Sequence, residues 1–299
     1  MDWLARMNGA LGYIEEHLTE NINLEEVAKI AYCSVYHFQR MFSFITDVPL
    51  SEYIRRRRLT LAALELQSSN IKVIDLALKY GYDSPISFAR AFQNQHGVAP
   101  SLARDRGVQL KAYPRISFHI TIKGDVAMDY RIIEKEAFKV YGIEEIFTTE
   151  NGENLRAIPK FWKQAMDDGR FEKLVKSNNC GNSEGLCPVN AICDYRRTEG
   201  STFPYMLFSL LTDKCNTEGY TIIDIPAATW AIFKSREHTI EETTNVIQDL
   251  TKRVYTEWLP TANYEKVHGY ELEMYYNNPE SGKCFCETWI RVVPKGQLV

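Results

Sequence analysis

Hydrophobic positions in the first hundred residues recur at helical spacing, and the pattern occurs twice. In SVYHFQRMFSFITDVPLS, which starts at Ser34, apolar residues at i, i+3, i+4 and i+7 share one helical face: Phe38, Met41, Phe42 and Ile45. SPISFARAFQNQHGVAPS, which starts at Ser84, repeats the pattern with Phe88, Ala91 and Phe92. The offset between the copies is fifty residues throughout. This repeat predicts a duplicated helical unit.

Each copy carries the signals of a helix-turn-helix unit. Ser34 and Ser84 open the two longer helices and are suited to cap their first turns. Shorter helices are predicted before both copies, over 23–31 and 73–80, and a helical link over 50–68. Asn23 begins the first of these in the form of a capping box, and Gly81 stops the second. The order predicts two tandem helix-turn-helix units, with a helical bundle that binds no nucleic acid as the alternative.

The pattern changes after residue 107. Strands are predicted over 116–122, 130–133, 140–147, 190–196, 205–211, 220–224, 229–234, 270–276 and 285–292, with one helix around 158–165 and a longer one over 239–258. This order predicts an α+β domain built from two similar halves, each with one helix. The chain is therefore multidomain, with an all-α tandem helix-turn-helix domain over 1–107, a connector over 108–127 and an α+β domain over 128–299.

Charge is distributed unevenly along the chain. The formal net charge is −4, which by itself argues against a nucleic-acid binder. Residues 34–107 nevertheless hold 10 basic and 6 acidic side chains, whereas 1–33 and 108–299 are each net −4. The positive segment includes the run Arg55 to Arg58, which indicates either a surface for DNA phosphates or only a solvated helix face.

Further features bear on location and on metals. No apolar run approaches the roughly 18–20 residues of a membrane span, and the N-terminal sequence does not have the form of a signal peptide. The seven cysteines are an odd number, which does not fit a disulfide framework. We therefore expect a cytoplasmic protein with no membrane partner.

The spacing of Cys180, Cys187 and Cys193 is not the paired CxxC of a zinc site, and no fourth ligand is evident, so we expect no metal. No motif indicates a cofactor. Cys284 and Cys286 share one strand face, which leaves redox sensing as an open question.

The stretch 24–104 resembles the DNA-binding domain of the AraC/XylS regulators, and within them the MarA and Rob branch. The matching text is CSVYHFQRMFSFITDVPLSEYIRRRRL and IKVIDLALKYGYDSPISFARAFQNQHGVAPS. In that family two recognition helices enter successive major grooves of double-stranded DNA. The resemblance implies the following DNA-facing residues: Tyr36, Gln39 and Arg40 in the first helix, and Ile86, Ser87, Ala89 and Arg90 in the second. Asp47 replaces the usual glycine, and we expect the turn to survive because aspartate tolerates a left-handed backbone.

The second half resembles the GyrI-like effector domain. The matching text is ATWAIFKSREHTIEETTNVIQDLTKRVYTEWLP, YELEMYYNNP and CETWIRVV. In that family two strand-helix repeats enclose an aromatic cleft for lipophilic, often cationic compounds, with a carboxylate at the bottom. The resemblance implies that Glu287 is this carboxylate. The further candidates for the cleft are Trp162, Trp230, Glu273, Tyr275 and Trp289.

Strand alternation places Phe285, Glu287 and Trp289 on one face. A buried carboxylate between aromatic rings is costly without a partner, and a ligand cation could be that partner. A surface position on the wet side of the sheet is the alternative for Glu287.

Together these features predict a ligand-responsive transcription regulator, an activator with a small lipophilic effector and RNA polymerase as a further partner. Two alternatives stay open. A bifunctional regulator could hydrolyse a small molecule with Glu287 and Tyr275, although the chain has no G-x-S-x-G sequence and no phosphate loop. The C-terminal domain could instead bind another protein.

Overall fold

The computed structural model describes residues 3–105, 107–118, 127–178, 185–196 and 198–297, and the chain forms two compact units. The first unit comprises Met1–Phe38 and Val48–His119, and the second comprises Gln39–Asp47 and Ile120–Val299. Cys180 and the end of the predicted strand 116–122 lie outside the described residues, and 116–118 is not a strand.

The tandem repeat folds into helices, as its hydrophobic pattern predicts. The helices are α1 (Trp3–Glu16), α2 (Leu24–Ile30), α3 (Val35–Thr46), α4 (Leu50–Ser68), α5 (Val73–Lys79) and α6 (Pro85–His96), followed by a 3-10 turn at Leu102–Arg104. In the second copy, Leu76 of α5 and Phe88 and Phe92 of α6 are buried against Leu59 and Leu66 of α4. The apolar stripe of the sequence is thus the face that α6 turns toward its own core.

The predicted helix caps are confirmed. The hydroxyl of Ser84 accepts a hydrogen bond from the backbone N–H of Ser87 over 3.1 Å, and that of Ser34 accepts from the N–H of His37 over 3.2 Å. The side chain of Asn23 accepts from the N–H of Glu25 over 3.0 Å. Each cap satisfies a donor that the first turn of a helix leaves without a partner.

The turn after α3 tolerates aspartate, as expected. Asp47 adopts a φ of 56°, in the left-handed region, and Gly97 adopts a φ of 81° at the equivalent position after α6. Aspartate is among the few residues other than glycine that visit this region readily. Both copies therefore make the same turn with different residues.

The arginine run in α4 is largely structural. The guanidinium of Arg57 makes two N–H bonds of 2.8–2.9 Å to the carboxylate of Glu15 in α1, and a third of 2.6 Å to the carbonyl of Tyr113. Arg58 donates to the backbone carbonyls of Leu18 and Glu20, each over 2.8 Å. These two arginines join α4 to the end of α1, so neither side chain belongs to a freely solvated face.

The second unit has the predicted mixed architecture. Its strands are β1 (Tyr130–Lys135), β2 (Phe138–Thr148), β3 (Asn190–Cys193), β4 (Thr202–Leu210), β5 (Thr221–Ile225), β6 (Ala228–Lys234), β7 (Tyr264–Lys266), β8 (Glu271–Asn277) and β9 (Cys284–Pro294). Its helices are α7 (Asn154–Asp167), α8 (Arg170–Ser177) and α9 (Thr243–Arg253), and α9 continues as a π-helical turn at Val254–Trp258. The first half therefore contains two helices, where the sequence pattern predicted one.

The two halves of this unit are related by a repeat of ninety residues. YRIIEKEAFKVYGI from Tyr130 aligns with YTIIDIPAATWAIF from Tyr220, a similarity that our sequence analysis missed. The described strands run antiparallel in the order β1-β6-β9-β8-β3-β4-β2-β5, with β7 beside β9. The first strand of each half, β1 or β5, thus pairs at the outer edge of the other half. The two halves meet where β8 pairs with β3.

The two faces of the sheet are packed differently. On one face, Val140 of β2 and Trp230 of β6 belong to a single buried cluster with Trp289. Because β2 and β6 lie near opposite ends of the strand order, the sheet is curved and packs this face against itself. On the other face, Phe233 and Ile290 pack against α9. Helices α7 and α8 lie over β2 and β4 on that same side. Strands β3 and β8 lie in the middle of the strand order, and we call the helix-bearing face of these two strands the candidate cleft.

Candidate effector cleft and DNA-contacting helices

Glu273 lies in the middle of β8, on the sheet face that carries the helices. Its neighbours across the sheet are Ala191 of β3 and Thr288 of β9. The hydroxyl of Tyr275, two residues along β8, donates to Oε2 of Glu273 over 2.9 Å. The hydroxyl of Tyr205 in β4 donates to the same oxygen over 3.3 Å. Two phenols therefore hold this half-buried carboxylate.

Trp162 of α7 borders the same cleft. Its indole N–H donates to the hydroxyl of Tyr205 over 2.9 Å. Its ring meets that of Tyr275 edge-on, with centroids 5.5 Å apart. Three aromatic side chains thus surround Glu273. The sequence does not single out Tyr205, because only the pairing of β4 with β3, and of β3 with β8, brings it to this position.

Burial raises the pKa of the Tyr205 and Tyr275 hydroxyls well above the ordinary tyrosine value, and the negative charge of Glu273 raises both further. The two phenols therefore remain protonated donors. Within the described ranges, no lysine, arginine or histidine forms an ion pair with Glu273. The site combines a carboxylate, two fixed donors and aromatic walls.

Glu287 lies on the opposite face of the sheet and has a cationic partner. It pairs across the sheet with Met274 of the self-packed face, and it is 3% exposed. The guanidinium of Arg131 binds both its oxygens, at 2.7 and 3.0 Å. Tyr276 and the indole of Trp289 donate to it as well. Arg131 in β1 thus provides the positive charge for which a ligand cation was one candidate.

The six predicted cleft residues therefore separate into two groups on opposite faces. One group is Glu273, Tyr275 and Trp162; the other is Glu287, Trp289 and Trp230. Trp230 is fully buried and meets Trp289 edge-on at 5.9 Å, as part of the core. Glu287 and Tyr275 cannot form one hydrolytic pair, because the sheet separates them; that interpretation is wrong.

The second recognition helix presents its predicted residues to solvent. In α6, Ile86, Ser87 and Arg90 are exposed and Ala89 is partly exposed, whereas Phe88 is buried. Ile86 is 75% exposed, which is unusual for a large apolar side chain and leaves it available to contact a groove. The helix thus offers one cation, one hydroxyl and an apolar surface.

The first recognition helix differs. Tyr36 and Gln39 are buried, at 2% and 7% exposure. Within the second compact unit, the hydroxyl of Thr149 donates to the side-chain oxygen of Gln39, and Arg40 forms an ion pair with Glu271. The expectation that Tyr36, Gln39 and Arg40 face outward is therefore wrong for this structure. The sequence cannot show this, since the partners lie more than a hundred residues away.

Burial disfavours ionisation of two of the described thiols. Burial raises the pKa of both Cys187 and Cys286 to about 11, which keeps them protonated. In the described part of the chain, no three His, Cys, Asp or Glu side chains are grouped to hold a metal. No described helix is long and apolar enough to cross a membrane.

Comparison with known proteins agrees with both parts of this architecture. Residues 131–292, more than half of the chain, match the family of integron-associated effector binding proteins. Residues 27–106 match a helix-turn-helix domain family. The chain is 48% identical to the HTH-type transcriptional activator AarP of Providencia stuartii over 94 residues. These residues cover 31% of this chain and 70% of that protein.

Two further relatives are regulators. The regulatory protein SoxS of Escherichia coli is 40% identical over 96 residues, which cover 32% of this chain and 90% of that protein. The transcriptional regulator Rob of Salmonella typhimurium is 24% identical over 288 residues, which cover 94% of this chain and 93% of that protein. The relatives are transcription regulators and not enzymes. The chain therefore belongs to the AraC-type helix-turn-helix transcription regulators and carries a GyrI-like, integron-associated effector-binding domain.

Proposed function

We propose that this regulator activates transcription in response to a lipophilic cation that binds beside Glu273. The observation that carries the proposal is the environment of this carboxylate. Glu273 is surrounded by Trp162, Tyr205 and Tyr275, and the described lysines and arginines are not paired with it. Glu287, the other candidate, already has Arg131.

The chemistry of the cleft favours a cation over an anion or a neutral compound. A carboxylate that is partly removed from water gains from a counter-ion. The faces of Trp162 and Tyr275 attract the same positive charge through their quadrupoles. An aromatic cation would therefore satisfy the charge and the apolar walls together.

The DNA contacts are proposed for the helix-turn-helix repeat. Arg90 and Ser87 on the exposed side of α6 are groups that reach phosphates and base edges, and Ile86 is suited to contact thymine methyls. Activation is supported by the relative AarP, which is named a transcriptional activator, and RNA polymerase is the partner that we propose for it.

Calorimetric titration of the full chain tests the effector site. Tetraphenylphosphonium is the cationic probe, and triphenylphosphine oxide is the neutral one. Glu273→Gln should weaken binding of the cation by about 1–3 kcal/mol and leave the neutral compound unaffected. Glu287→Gln is the matched control, since it removes the same charge from the opposite face. Equal loss in both variants, or in neither, would exclude the proposed site.

Fluorescence anisotropy with a duplex that the full chain selects from random sequences tests the DNA contacts. Arg90→Ala should lower DNA affinity by about 1–3 kcal/mol with the fold intact. Arg236→Ala removes an exposed arginine of the second unit and should have little effect. Run-off transcription with RNA polymerase then tests activation; fewer transcripts when the cation is added would identify a repressor instead.

A further inference from the structure

The arginines of the two recognition helices have different surroundings, although they are equivalent in the fifty-residue repeat. Arg90 is exposed, whereas the side chain of Arg40 is 10% exposed and pairs with the carboxylate of Glu271. We propose that Glu271 is an autoinhibitory group that withholds Arg40 from DNA, and that a cation bound at Glu273 releases it. The effector in this inference is the cation of the proposed function, on which it rests.

The surroundings of Glu271 allow Arg40 to leave. Its buried carboxylate also accepts a hydrogen bond from the hydroxyl of Tyr255 over 2.7 Å and pairs with Lys266 at 2.9 Å. A buried carboxylate that loses all its partners is strongly disfavoured. Here Tyr255 and Lys266 remain when Arg40 departs. Arg40 exchanges one anion for another, a DNA phosphate, so the free-energy difference between the two arrangements is small enough to be switched.

A second contact holds the same helix more weakly. Asp47, directly after α3, pairs with Lys252 of α9 at 2.7 Å. The Asp47 side chain is largely exposed, and exposed pairs contribute little to stability. The hydroxyl of Thr149 holds the neighbouring Gln39 side chain, whereas Glu271 holds the guanidinium of Arg40 itself, so the contact with Glu271 is the one that withholds this arginine.

Strand β8 connects this contact with the cleft. Glu271 and Glu273 are two residues apart on one strand face, a separation of roughly 7 Å. A cation at Glu273 adds a positive charge beside a cluster that already contains Arg40 and Lys266. At an effective dielectric constant of about 20, repulsion over this distance shifts the equilibrium by about tenfold or more. The effector thus favours the state in which Arg40 has left.

The test measures DNA affinity of the full chain by fluorescence anisotropy, first without effector. Glu271→Gln keeps an acceptor for Tyr255 but removes the charge that holds Arg40, so it should raise affinity at least about fivefold. In an Arg40→Ala background, the same substitution should change nothing. Glu280→Gln, an exposed position, is the charge-matched control. Unchanged affinity in a folded Glu271→Gln protein, or a gain that persists without Arg40, overturns the proposal.

A second variant keeps the test decisive if Glu271→Gln does not fold. Lys252→Gln breaks only the exposed pair with Asp47 and should raise affinity by about twofold, in proportion to the weaker contact. This gain should also disappear in the Arg40→Ala background, because Arg40 makes the added DNA contact. A gain that persists in the Arg40→Ala background refutes the autoinhibitory role of Glu271, because the added DNA contact is then not made by this arginine.

The cationic probe separates this inference from the proposed function. Tetraphenylphosphonium should raise the DNA affinity of the wild-type chain and not that of Glu271→Gln. If calorimetry shows binding that depends on Glu273 while DNA affinity is unchanged, the coupling is refuted and the effector site stands. If the cation does not bind but Glu271→Gln still gains affinity through Arg40, the effector class is refuted and the autoinhibitory contact stands.

Discussion

Replacing Glu15 with glutamine tests whether one buried ion pair holds α1 against α4. The Glu15 carboxylate accepts N–H bonds from Arg57 and an O–H bond of 2.6 Å from Tyr53, and the Glu15 side chain is 7% exposed. Removing one partner of a buried pair typically costs about 3–5 kcal/mol, because the other charge stays buried. Glutamine keeps one acceptor, so we expect a loss of about 3 kcal/mol.

The pH dependence of this effect follows from the pKa of Glu15. Burial raises this pKa, but the hydrogen bonds from Arg57 and Tyr53 outweigh burial and hold it below the ordinary value of 4.5. A carboxyl group whose pKa is lowered by folding stabilises the folded state above its unfolded pKa. That contribution is lost as the pH falls from 4.5 through the folded value. The difference between wild type and Glu15→Gln should therefore shrink in this acidic range.

Hydrogen exchange of the α1 and α4 amides measures the loss in the full chain, since it reports local opening in a protein with two units. Glu52→Gln is the control, because it breaks only the partly exposed pairs with Arg55 and Arg56 in the same helix. We expect the control to lose less than about 0.5 kcal/mol. If Glu15→Gln loses no more than Glu52→Gln, the ion pair does not hold the helices together.

Three other predictions address single positions. Gly142→Ala would place a Cβ atom 1.9 Å from the carbonyl oxygen of Leu207. We therefore expect the free energy of unfolding of the second unit to fall by more than about 4 kcal/mol. Near-native thermal unfolding of this variant would contradict the close approach. Burial lowers the pKa of His96 below 6.5, so the unfolded chain takes up a proton at this residue before the folded chain does. Stability should therefore fall as the pH drops below 6.5. His96→Asn should remove this pH dependence from the hydrogen-exchange rates of α6. Ser84→Ala removes the cap of α6 and should cost about 1 kcal/mol, with faster exchange of the N–H of Ser87; an unchanged rate there would show that the cap contributes nothing.

The sequence by itself determined the features that depend on near neighbours. The fifty-residue repeat, the caps at Ser34 and Ser84 and the left-handed turn at Asp47 are all local, because a helix face or a cap involves residues a few positions apart. The same applies to strand alternation, which correctly placed Phe285, Glu287 and Trp289 on one face. The ninety-residue repeat was also readable but was missed, because its match is short.

Only the tertiary structure decided which charged side chains are available for function. The sequence shows Glu273 and Glu287 alike, as glutamates flanked by aromatic residues. Only the pairing of β1 with β6, and of β6 with β9, brings Arg131 to Glu287. In the same way, four consecutive arginines are equivalent in the sequence, yet Arg57 is buried against Glu15. An ionic partner is set by strand register and helix packing between residues far apart in the chain, and hydrophobic periodicity does not contain that information.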